Sequence, residues 1–70
     1  MITKQDRETL TESQRITLTA YYSDASLARF RAAKHRKAGR ELQADIQDEI
    51  AVENDLAALR YRQLLARQSA

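Results

Sequence analysis

Lys34-His35-Arg36-Lys37-Ala38-Gly39-Arg40-Glu41-Leu42-Gln43-Ala44-Asp45 is the stretch whose reading decides the fold. It contains the only glycine of a 70-residue chain that has no proline. Charge reverses here: residues 25–40 hold six Lys/Arg, His35 and no acid, and residues 41–55 hold six acids and no Lys/Arg. Glycine suits the left-handed residue just past a helix C-terminus, where Lys34, Arg36 and Lys37 face the negative end of the helix dipole. Glu41 then falls in the first turn of a second helix, where the dipole favours an acid.

Working outward, Ala, Leu, Arg, Glu and Gln give helical propensity almost throughout. Thr3 followed by Asp6 reads as a helix N-cap with an acid in the first turn. The pattern predicts an all-α fold: an antiparallel two-helix hairpin, about 4–38 and 41–67, turning at Gly39, with residues 1–70 as one domain. Tyr22-Ser23-Asp24-Ala25-Ser26 is rich in cap-forming residues and leaves open a break in the first helix near Ser23. With the turn centred at Gly39-Arg40, residue i lies opposite about 79 − i, which pairs Lys34 with Asp45 and Arg31 with Asp48.

Each helix shows two apolar faces at 100° per residue. In the first helix they are Leu10, Leu18, Tyr21, Ala25, Ala28 and Ala32 against Ile16, Ala20, Leu27 and Phe30. In the second they are Leu42, Ile46, Ile50, Ala57 and Leu64 against Val52, Leu56 and Leu59. A lone hairpin uses one face per helix. At about 25 cal/mol per Å² of apolar area, the faces left wet are a large loss for so small a fold. Pairing of two hairpins into a homodimeric four-helix bundle is therefore expected. The absence of Cys removes disulfides and the commonest zinc ligands as alternative stabilisers.

Catalytic constellations are missing. His35 is the single histidine and sits in a Lys-His-Arg-Lys run, which reads as an exposed helical histidine. Glu49 and Glu53 share a helix face, but no Glu-x-x-His sequence accompanies them as in carboxylate-bridged metal bundles. No glycine-rich phosphate loop, nucleophile elbow, metal or cofactor motif occurs, so a non-enzymatic chain is expected. No run approaches the roughly 20 apolar residues of a membrane span. With no signal-peptide core at Met1-Ile2-Thr3-Lys4, the expected location is cytoplasmic.

Two charged surfaces then compete for function. Asp45, Asp48, Glu49 and Glu53, with Tyr21 and Tyr22, form the expected protein-binding set, because regularly spaced acids on a rigid helix mimic phosphates to a basic partner. Such a chain is expected to bind and modulate another protein, for instance a host transcription regulator inhibited by a protein of a phage or mobile element. The alternative is nucleic-acid binding through Arg29, Arg36, Lys37 and Arg40 in the basic segment 29–40. A structural or assembly subunit is the third reading. The net charge of +2 conceals +5 over residues 1–40 and −3 over residues 41–70, so it does not choose between them.

The expected architecture resembles the Rop family of plasmid RNA-binding proteins, short helical hairpins that dimerise into four-helix bundles. Thr3-Lys4-Gln5-Asp6 is similar to the opening of that family. The resemblance covers about ten residues and carries no functional residue across.

Overall fold

The computed structural model describes residues 1–69, and side chains through residue 68. All regular structure among them is helical: α1 Lys4–Thr9, α2 Glu12–Lys37 and α3 Glu41–Ser69. The two long helices pack against each other along a rod of 47 × 19 × 15 Å.

The expected helix over 4–38 is two helices, and the break falls at Leu10-Thr11, well before Ser23. Leu10 is extended (φ −94°, ψ 147°), and Thr11 opens α2 with a capping box. The Gln14 N–H donates to Thr11 Oγ1 at 3.2 Å, and the Thr11 N–H donates to Gln14 Oε1 at 2.9 Å. Two otherwise unpaired donors are satisfied at once, which favours a new helix start over continuation. Thr3 and Asp6 cap α1 in the same reciprocal way. Ser23 lies inside unbroken helix.

The reversal at Gly39 follows the sequence reading. Its φ is +77°, and two bonds close the end of α2: Gly39 N–H to Arg36 C=O at 3.0 Å, and Arg40 N–H to His35 C=O at 2.8 Å. This pair of bonds is the Schellman motif.

The seam between the helices is made of small residues. Leu18, Ala25 and Ala32 recur every seven residues on α2, with Ala28 between them, and Ala44, Ala51, Ala58 and Leu65 recur every seven on α3. All are buried, and among the described residues Leu18 is the only large side chain with almost no exposure. Alanine at a heptad position lets the backbones approach closely, and larger side chains enter the seam only as Leu18 and Leu65, toward the open end of the hairpin.

The face expected on α2 through Leu18, Tyr21, Ala25, Ala28 and Ala32 is therefore the one that packs. Neither stripe expected on α3 does. Leu42, Ile46, Ile50 and Leu64, and likewise Val52, Leu56 and Leu59, all point outward with 37–70% exposure.

Candidate interaction surfaces

Three features flank the alanine seam. The first is a ladder of polar pairs along one edge. Tyr22, Arg29 and Arg36, seven residues apart on α2, meet Arg62, Asp55 and Asp48, seven apart on α3. Arg36 also reaches Asp45 at 3.2 Å and Glu41 at 3.7 Å. The hydrogen bond to Asp48, with the fields of the other acids, raises its pKa further above the ordinary arginine value.

The expected pairs Lys34–Asp45 and Arg31–Asp48 are replaced by this ladder, in which residue i faces 84 − i. Side chains tilt toward the N-terminus of their own helix, so opposed partners on antiparallel helices are displaced in this direction from backbone register. The Arg29–Asp55 and Arg36–Asp48 pairs are more than two-fifths exposed, so water screens them and they set register more than they add stability.

The second feature is a node at the open end of the hairpin, centred on Arg62. Its two terminal nitrogens grip the Asp6 carboxylate at 2.9 and 2.8 Å, Nε donates to the Tyr22 hydroxyl at 2.7 Å, and Nη2 also donates to the Met1 carbonyl at 3.0 Å. The guanidinium lies over the Tyr22 ring at 5.7 Å. Asp6 additionally accepts the Thr3 N–H, and it is the one buried charged residue among those described. Arg62, and then this N–H bond, hold its carboxyl well below the usual carboxylate range, while Asp6 and then Tyr22 raise Arg62.

The node ties α1 across both long helices and leaves an open groove lined by Met1, Ile2, Arg7, Arg15 and Arg29. Nothing in the sequence reading joined Asp6 to Arg62, which are 56 residues apart.

The third feature is the apolar backs of the helices. On α2, Ile16 and Phe30 are 62% and 61% exposed, with Leu27 and Ala20 on the same outward stripe. Lys34 Nζ stands 5.4 Å from the Phe30 ring centre. On α3, Val52, Leu56 and Leu59 form an outward cluster.

The residues singled out from sequence scatter across these features. Asp48, Glu49 and Glu53 line one shallow groove on α3 together with Val52. Asp45 and Asp48 face Arg36, whereas Glu49 and Glu53 have no ion partner among the described residues. Tyr21 is half-buried, edge-on to Tyr61 at 6.3 Å. Of the basic set, Arg29 and Arg36 face acids, Arg40 Nε donates to His35 Nδ1 at 2.9 Å, and Lys37 is exposed with no ion partner among the described residues. His35 is thus tied into the turn. No group of three or more His, Cys, Asp or Glu among the described residues is placed to hold a metal ion, and no helix is long and apolar enough to cross a membrane.

Comparison with known proteins finds no matching family model, no matching curated protein and no matching solved structure.

Proposed function

We propose that this chain is a non-enzymatic homodimeric helical protein that binds another protein and alters its activity, as an inhibitor or anti-activator of a host regulator encoded by a phage or mobile element would. The observation that carries the reading is the mismatch between seam and surface: alanines inside, large aliphatic and aromatic side chains outside. Each buried CH₂ is worth about 0.8 kcal/mol, so a seam of methyl groups stabilises far less than one of Leu and Ile. The side chains able to supply more lie on the backs of α2 and α3, where only another chain covers them.

The α2 stripe of Ile16, Ala20, Leu27 and Phe30 has the spacing of a helix that enters an apolar groove. Arg31, Lys34 and Lys37 border its Phe30 end, which suits a groove with an acidic rim. Nucleic-acid binding draws less support, because phosphates would have to displace Asp55 and Asp48 from Arg29 and Arg36.

Affinity capture with the intact chain tests the reading, using the exposed double variant Leu27→Asp/Phe30→Asp as control. The expected result is one stoichiometric protein held by the wild type and lost with the variant, while the circular dichroism of both chains agrees. Micromolar nucleic-acid binding that weakens steeply with salt, without protein capture, would replace this reading with the nucleic-acid one.

A further inference from the structure

We propose that a second copy of this chain docks along the outer face of α3, antiparallel to it, about a two-fold axis beside Leu56. The inference rests on the homodimer reading and assigns its interface. Val52, Leu56 and Leu59 are 54%, 43% and 51% exposed, and spacings of four and three residues place them on one stripe away from the alanine seam.

A two-fold contact demands self-complementarity: if residue i meets j, then j meets i. The chemistry of α3 has this property about Leu56. Val52 precedes it by four residues and Leu59 follows by three, so each Val faces a Leu of the other copy and Leu56 faces its own equivalent. Glu53 precedes by three and Arg60 follows by four, on the same flank of the stripe, which sets Glu53 of each copy against Arg60 of the other. Glu53, Arg60 and Arg67 have no ion partner within the hairpin among the described residues.

A parallel arrangement, with its two-fold axis along the helices, would put Glu53 and Arg60 of one copy on the opposite flank of the contact from those of the other and leave them unpaired. The antiparallel one brings the acidic N-terminal half of α3 against the basic C-terminal half, and opposes the helix dipoles favourably. The aliphatic cluster supplies the attraction, and the rim charges set direction and register.

The contact refines the expected four-helix bundle. Val52 is a helical neighbour of both Asp48 and Asp55, and Leu59 of Asp55, so the stripe borders the Arg–Asp ladder and the hairpins meet along that side of α3.

Sedimentation of the full chain, Glu53→Arg and Arg60→Glu tests the interface. Neither variant removes an intrachain partner, and circular dichroism checks that helicity is kept. The wild type is expected to sediment at twice the 8.0 kDa chain mass. Each variant alone is expected to dimerise at least tenfold more weakly. Their equimolar mixture recovers wild-type association as a heterodimer, because both rim pairs become complementary again.

A short bismaleimide is expected to link Leu56→Cys to itself, and to leave Ile50→Cys on the opposite flank unlinked; the chain has no native cysteine to interfere. A wild type that stays monomeric at high concentration overturns the homodimer reading and this interface together. A dimer whose variants show no recovery on mixing, and whose Leu56→Cys does not link, overturns the interface alone.

Discussion

Arg62 on α3 holds Asp6 on α1 through two parallel hydrogen bonds of 2.9 and 2.8 Å, joining residues 56 positions apart in sequence. Bidentate guanidinium–carboxylate pairs combine strength with fixed orientation. Here the pair is the anchor of a six-residue helix too short to persist by itself. The same guanidinium engages Tyr22 on α2, so one side chain decides where the N-terminal arm lies against the hairpin.

The arm is expected to release in acid. Because the folded pKa of Asp6 lies below the ordinary carboxylate value of about 3.9, its contribution is fully present above about pH 5 and is lost as pH falls through that range. Hydrogen exchange of the Arg7 and Leu10 amides, which bond back to Thr3 and Asp6, reads the release. Asp6→Asn is expected to cost about 1–3 kcal/mol of docking and to abolish the pH dependence. Unchanged protection in the variant at neutral pH would show that the arm is held by something else.

Gly39→Ala is expected to destabilise the hairpin by about 1 kcal/mol. The cause is backbone conformation, φ +77°, and not crowding, because nothing lies within 4 Å of the position an added Cβ takes. Chemical denaturation measures it: the midpoint drops while the denaturant slope stays constant, since the buried surface is the same.

Ala51→Leu is expected to lower stability by about 1–3 kcal/mol although it adds apolar surface. Ala51 is 1% exposed in the seam, and a longer side chain there forces the helices apart. The control is Ala57→Leu, off the seam, for which thermal unfolding is expected to change little.

The turn was the most legible part of the chain. Gly39, the basic residues before it and Glu41 after it each answer to local backbone chemistry: a left-handed residue, a helix C-terminus and a helix N-terminus. The break at Leu10 was also written locally, in Thr11 and Gln14, but a capping box of four residues carries little weight within uniformly helical composition. The stripes of α3 misled for a physical reason. Hydrophobicity ranks Leu and Ile above Ala as core residues, whereas a close helix pair selects by size.

The sequence by itself determined the helical class and the turn at Gly39, because propensity and dihedral preference act over a few residues. Tertiary structure alone decided that Ala44, Ala51 and Ala58 line the seam, that Arg36 gathers Glu41, Asp45 and Asp48, and that Arg62 captures Asp6. Each of these depends on how closely and at what register two helices meet, and that distance is set by the smallest side chains between them.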